Sequence, residues 1–209
     1  MRIIHLFADL CNLYGDYGNV CALKRMLENK GQNVDVEYLS IDDEIDVSGA
    51  DFVFIGSSTE RNQKVALNYL QSYKENIKSA LDNGTVILAT GNSFEIFGQS
   101  VTDCDGIKHE GLSFFPYETV EGKDRIVTDS LCTTSLCGGD IIGFVNKASL
   151  TAGATSPLFD VKQGSGNGKD DNKEGVHYGN FYGTHLIGPV LIRNPQLCEY
   201  FADMLIKKQ

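Results

Sequence analysis

Covalent chemistry at an amide or ester needs a nucleophile held at an exposed turn, with a base within reach. The chain carries six cysteines, at 11, 21, 104, 132, 137 and 198, and four histidines, at 5, 109, 177 and 185. In α/β enzymes the nucleophile stands where a buried strand turns sharply into a helix. The stretch TVILATGNSFEIFGQ, residues 85–99, has that form: an apolar run Val86-Ile87-Leu88, a turn cluster Gly91-Asn92-Ser93, then the start of a helix. Its sharpest point falls on Gly91, which has no side chain. Cys137, in SLCGGD, also precedes glycines, but DIIGFV after it reads as a strand, and an elbow needs a helix there. Cys11 sits in the loop ADLCNLYGDYGN and could face a cleft, although no base is placed beside it by sequence. His5 lies inside a strand and reads as structural. His185, near the Gly188-Pro189 turn, is the histidine best placed for a cleft, with a partly buried histidine of no chemistry as the alternative.

The elements that must position these residues alternate. RIIHLFA (2–8) is an apolar strand, and GNVCALKRMLENKG (18–31) has a helical period of apolar residues closed by Gly31. NVDVEYLS (33–40) alternates like a strand. DFVFIG (51–56) and the elbow strand are near-continuous apolar runs, as in a parallel sheet buried on both faces. Residues 62–84 read as one long helix. The order predicts an α/β fold with a doubly wound, mostly parallel sheet and helices on both faces. Beyond about residue 100 short strands and turns predominate, read as β-rich additions to the same core. QGSGNGKDDNKEG (163–175) reads as a mobile surface loop, and PQLCEYFADMLIKK as a closing amphipathic helix. No repeat or linker divides the chain, so one domain over 1–209 is expected.

Composition narrows the function. Lys and Arg number 18 against 28 Asp and Glu, a net charge of −10. That argues against binding nucleic acid or an anionic membrane surface. No apolar run approaches the roughly 20 residues of a membrane span, and the N-terminus lacks the pattern of a signal peptide. Scattered cysteines without a CxxC pair read as reduced thiols in the cytoplasm. Cys132 and Cys137 have no second Cys/His pair at zinc spacing, so neither metal nor cofactor is expected. GDYGN matches neither GxxxxGK[ST] nor GxGxxG, which leaves a nucleotide site weakly supported.

Ligands of open α/β sheets bind at the carboxyl ends of the strands. The loops 9–19, 56–61, 90–95 and 182–188 are therefore expected to surround one cleft. Together these segments resemble the cobyric-acid-synthase (CobB/CobQ) type of class I glutamine amidotransferases, which have a flavodoxin-like core. Within that family they are similar to the GatD-type glutaminase subunits of lipid II isoglutaminyl synthase. DLCNLYGDYGNVCALKRMLENKG resembles a DxxNxYGDxGN signature, GSSTERNQ a GGGQDRxQ loop, and ILATGNSFEIFG an ILAxCGGYQLLG elbow. GFVNKASLT resembles GFENHxGxT, and the run through GTHLIGPVLIRNP resembles GTYLHGPLLxxNP.

The resemblance implies a cysteine nucleophile and a histidine base for glutamine hydrolysis. By position these fall on Gly91 and Ile187, and neither can do that chemistry. Ser57, Ser58, Thr59, Asn92, Ser93, Phe94, Glu95 and Lys147 also depart from the motifs. Gly56, Arg61 and Gln63 are retained, and Arg125 matches a basic position used to hold glutamine. With Asn92 and Ser93 these form the candidate ligand-binding set. Three readings stay open. The first is a degenerate glutaminase subunit that scaffolds or regulates a Mur-ligase-like partner in peptidoglycan precursor amidation. The second is an active enzyme using a displaced Cys11 with His185 as its base. The third is a module that binds glutamine or a similar small molecule.

Overall fold

A computed structural model describes residues 1–208. Strand β1 (Arg2–Leu6) is followed by α1 (Tyr17–Asn29), β2 (Asp35–Leu39), β3 (Phe52–Ile55), α2 (Glu60–Leu70), α3 (Lys74–Asp82) and β4 (Val86–Thr90). Then come β5 (Ser100–Thr102), β6 (Lys108–Glu110), β7 (Glu118–Thr133), β8 (Asp140–Ala152), β9 (Phe159–Gln163) and β10 (Lys173–Glu174). The chain closes with β11 (Val176–Tyr178), β12 (Phe181–Thr184), α4 (Val190–Arg193) and α5 (Pro195–Lys207).

The first sheet has the order β11-β12-β4-β3-β1-β2, parallel except for the β11 edge. Its parallel part is the flavodoxin-like arrangement, in which the winding direction reverses between β1 and β3. Every residue of β3 and β4 is buried, which the continuous apolar runs required. Alternate side chains serve opposite faces. Ile4, Leu6, Val53, Ile55, Ile87 and Ala89 pack with Ala66, Leu67, Leu70 and Ile77 of α2 and α3. Ile3, Phe52, Phe54, Val86 and Leu88 pack with Val20, Leu23 and Leu27 of α1 and with Leu197 and Phe201 of α5. Each such fully buried leucine or phenylalanine contributes about 1.5–3 kcal/mol over an exposed one.

The second sheet has the order β10-β9-β7-β5-β6, with β8 paired to β7. Short strands occur here as expected in β5, β6, β9 and β10, but β7 and β8 are two long strands in an antiparallel hairpin, and their register breaks between Glu121 and Ile126. Cys132, Ile141, Val145 and Phe159 of this sheet join the α1–α5 side of the core. The polar run 163–175 is also more ordered than its composition suggests. Asn167 is buried, with its side chain bonded to both the N–H and the C=O of Gly175 at 2.8 Å. Lys173–Glu174 pairs with β9. Polar residues can be buried when every group finds a partner, and composition alone does not reveal the partners.

The long helix expected over 62–84 is two helices. It starts earlier, at Glu60, because the Thr59 hydroxyl caps the Asn62 N–H. It breaks at the tight turn Gln71–Tyr73, where Gln71 Nε2 donates to the carbonyls of Glu110 and Gly111 in the second sheet. No helix among the described residues is long and apolar enough to cross a membrane. All six cysteines are free.

His5 is fully buried in β1, edge-on to Phe54 at 5.1 Å, and neither ring nitrogen has a hydrogen-bond partner among the described residues. Burial pushes its pKa down to about 4. The unfolded chain takes up this proton near its ordinary pKa of 6.5, so the stability held above that pH is lost as the pH falls through 4. At pH 4 the loss from this group is about 3 kcal/mol. Denaturant melts of His5→Phe at neutral pH and pH 4 should show an acid destabilisation smaller than that of the parent by about this amount.

Candidate functional site

The carboxyl ends of β1, β3 and β4 open into a cavity of about 280 Å³. Leu13 and Tyr14 enter from the loop after β1, Ser57–Glu60 from the loop after β3, and Gly91, Asn92 and Glu95 from the turn after β4. Ile187 comes from beyond β12. The four expected loops therefore meet at one cleft, on the side where the winding reverses. The β7–β8 hairpin supplies the outer wall through Glu121, Arg125 and residues 146–149. The register break after Glu121 lies where Arg125 leaves the ladder toward the cavity.

The turn after β4 keeps the backbone of an elbow. Gly91 has φ +63°, a region that side chains other than glycine rarely occupy, and it opens a tight 3-10 segment to Phe97 rather than an α-helix. A Cβ at Gly91 would overlap the Ser57 Cβ, lying 3.0 Å from the Ser57 Cα and 3.3 Å from Ile187 Cγ2. Ser57 and Ile187 thus fill the space that a side chain on this turn would take. Ser57 is held by Asp16, whose Oδ2 accepts from the Ser57 N–H at 2.6 Å and from its hydroxyl. Burial pushes the Asp16 carboxyl up to about 6, and the bonds from Ser57 pull the other way.

Below the cavity lies a buried polar network. Gln63 Nε2 donates to the Asn92 carbonyl at 2.6 Å and to Glu95 Oε2 at 2.7 Å. Glu95 Oε1 accepts from Ser149 and meets His185 Nε2 at 3.1 Å. Glu174 accepts from the His185 N–H at 2.6 Å and from the Thr184 hydroxyl at 2.7 Å. Lys147 Nζ donates to the carbonyls of Gly166 at 2.6 Å and Asn167 at 3.1 Å. Burial raises the Glu95 pKa to about 7 and lowers that of His185 to about 4, so both shifts disfavour an ion pair between them. Burial also lowers Lys147.

These contacts correct the expectation for His185. It is neither on the rim nor just inside the cleft but beneath the floor, 2% exposed, with Phe94 edge-on at 4.6 Å. Cys11 likewise does not line the cavity. It is wholly buried, and burial pushes its thiol up to about 12, with the hydroxyls of Ser58 and Ser93 pulling back. No hydrogen bond joins Cys11 to His185 among the described residues. The proposed pairing fails on two physical counts: the thiol stays protonated, and the imidazole is engaged by carboxylates.

The candidate ligand-binding residues divide. Asn92 and Arg125 line the cavity. Ser58 N donates to Asn92 Oδ1 at 2.9 Å. Arg125 donates to Asn146 Oδ1 at 3.0 Å and pairs with Glu60, while Asn146 Nδ2 reaches the Tyr14 hydroxyl at 2.8 Å, so the rim is one linked chain of side chains. Gly56, Gln63 and Ser93 are buried behind the wall. A Cβ on Gly56 would overlap the Cys11 carbonyl, and Ser93 donates to the Gly56 carbonyl. Arg61 is exposed and away from the cavity. Sequence reasoning missed Asp16, Glu174 and Asn146. Only Asp16 had a signal, its place beside a glycine in a loop at the sheet's carboxyl edge.

With this geometry in view, comparison with known proteins is decisive about ancestry. The CobB/CobQ-like glutamine amidotransferase domain family matches residues 2–195. The chain belongs to this family. It is 31% identical, over its full length, to the GatD subunit of lipid II isoglutaminyl synthase (glutamine-hydrolyzing) of Staphylococcus aureus strain N315, covering 86% of that protein. The GatD subunit of Streptococcus pneumoniae strain R6 is also 31% identical, with 82% of it covered. In structure the amidotransferase fold is shared with PurLQS of Thermotoga maritima, at a TM-score of 0.62 and 12% identity over 99% of this chain and 97% of that one. A crystal structure of a glutamine amidotransferase matches with a TM-score of 0.63 and 12% identity, over 97% and 98% of the two chains.

The contact at the amidotransferase elbow is open to test. Gly91→Ala should destabilise by about 2–4 kcal/mol, from left-handed backbone strain and overpacking against Ser57. Adding Ser57→Gly should recover the overpacking part, read as a rise in the denaturation midpoint at unchanged slope.

Proposed function

We propose that this chain is a glutamine amidotransferase-like subunit, one domain over 1–209, that has lost cysteine-based glutamine hydrolysis. In this reading it scaffolds or regulates a Mur-ligase-like partner that amidates a peptidoglycan precursor in the cytoplasm, the partner taking free ammonia. The observation that carries the loss of hydrolysis is the elbow. Gly91 stands where the motif places the nucleophile, and the space beside it is filled by Ser57 and by Ile187, which stands where the motif places the base. The partner rests on the two GatD relatives, each named as a subunit of a synthase. A second reading, in which the chain binds glutamine or a similar small molecule, is favoured by the cavity itself and by Asn92 and Arg125 on its wall. Burial of Cys11 and His185 removes support from a displaced thiol mechanism.

Purified protein should release no ammonia from glutamine. Turnover of about 1 per second or more, an ordinary enzyme rate, would overturn this, and its loss in Cys11→Ala would then locate the nucleophile. The pair Gly91→Cys with Ile187→His should not restore turnover. The new thiol would meet the Ser57 side chain, and losing one oxyanion donor typically costs about 10²–10³ in rate. Near-family turnover by that double variant would show that Ser57 yields. For the binding reading, a ligand present at 100 times its Kd should stabilise by about 2.7 kcal/mol, seen as a shift in Tm with added glutamine and absent in Arg125→Ala.

A further inference from the structure

The reading above leaves the Ser57 hydroxyl and the Asp16 carboxyl without a chemical role. Ser57 lines the cavity and stands against the turn at Gly91. Its hydroxyl has two recorded acceptors, Asp16 Oδ2 and, at 3.2 Å, the Leu13 carbonyl. Asp16 is wholly buried, and its other oxygen, Oδ1, has no hydrogen-bond partner among the described residues. A hydroxyl on a cavity-lining residue, bonded to a buried carboxylate that can take its proton, is the pairing of a nucleophile with its base. Across the same wall, Asn92 is oriented by the Ser58 N–H and hydroxyl through its Oδ1. Its Nδ2 makes no hydrogen bond among the described residues, so it is a donor available to a developing oxyanion.

We propose that Ser57 is an acyl-accepting nucleophile, with Asp16 as its general base and Asn92 as a donor to the oxyanion, and that the cavity takes small carboxylic esters. In the first step the Ser57 O–H bond breaks and its proton passes to Asp16 Oδ2. Oγ bonds to the ester carbonyl carbon, and the C–O bond to the alcohol breaks. The alcohol leaves with the proton from Asp16, and the acyl group stays on Ser57. Water then adds by the same route: its proton goes to Asp16, its oxygen to the acyl carbon, and the proton returns to Ser57 as the carboxylic acid departs. Asp16, its carboxyl raised to about 6 by burial, is ionised at neutral pH and is a stronger base than an ordinary carboxylate. The activity goes beyond the reading above and leaves glutamine untouched.

The experiment uses the full chain with p-nitrophenyl acetate and, separately, a fluorophosphonate. We expect a burst of p-nitrophenolate followed by slow turnover, and an acetyl or phosphonyl group mapped by mass spectrometry to the peptide containing Ser57. The burst rate should fall off on an acid limb centred near pH 6, the pKa of Asp16. Ser57→Ala, which keeps the Cβ and the packing, should abolish the burst and the adduct. Asp16→Asn should slow acylation by about 10²-fold or more and remove the acid limb, which a merely structural role would not do. Ser57→Cys should keep the burst with an altered pH profile, so the proposal stays testable if Asp16→Asn fails to fold. No adduct on Ser57 in the parent protein with either reagent, or a burst unchanged in Ser57→Ala, would overturn it. Ammonia release from glutamine would count against the lost-glutaminase reading and not against this one, so the two can fail separately.

Discussion

The contact of Asp16 with Ser57, and of Ser57 with Gly91, is the constraint on which the candidate site depends. One buried carboxylate oxygen takes both the main-chain and side-chain protons of Ser57, while the main-chain carbonyl of Asp16 accepts from Asn19. A Cβ on Gly56 would strike the Cys11 carbonyl and lie 2.8 Å from the Asp16 Cβ. The loops after β1, β3 and β4 thus touch at backbone distance. Any side chain added at Gly56 or Gly91 must part them. Close approach of three loops, rather than any single strong bond, gives the cavity floor its shape.

Beneath that floor, hydrogen bonds link Glu95 to Gln63, Ser149 and His185, and His185 to Glu174. They offset the cost of about 1–3 kcal/mol that an unpaired buried polar group carries. Gln63 Oε1 and His185 Nδ1 have no hydrogen-bond partner among the described residues. The motif comparison places Glu95 and His185 at positions that differ from the family pattern. In space the two differences meet, with the His185 ring nitrogen 3.1 Å from the Glu95 carboxyl. Positions that differ from the motifs and lie far apart along the chain are neighbours in three dimensions. The same holds for Ser57, Gly91 and Ile187, whose atoms crowd a single volume.

Much of the architecture was legible from apolar patterning. β3 and β4 are buried at every residue because their runs leave no wet face. Alternating strands and helices dictated the parallel sheet, and its carboxyl ends located the cleft. The elbow was read from a strand running into a glycine turn, and Gly91 indeed has φ +63°. What failed was reading ends and partners. The helix beginning at Glu60 breaks at Gln71, whose side chain bonds to carbonyls about forty residues away. The polar run at 163–175 looked mobile because nothing local shows that Asn167 will bracket Gly175 or that Glu174 will receive Thr184 and His185.

The sequence by itself determined the family, the mostly parallel sheet with helices on both faces, and the absence of a thiol at Gly91 and an imidazole at Ile187. These are properties of residue type and local order, and no packing can supply a missing atom. Tertiary structure alone decided which side chains reach the cavity. It sank His185 and Cys11 and kept Arg125 and Asn92 on the wall. It also set Ser57 against both Gly91 and a buried Asp16 forty-one residues away in sequence. The reason is that a loop's direction is set by the strands it joins, whereas a side chain's depth and partner are set by segments remote in sequence, whose meeting no local pattern encodes.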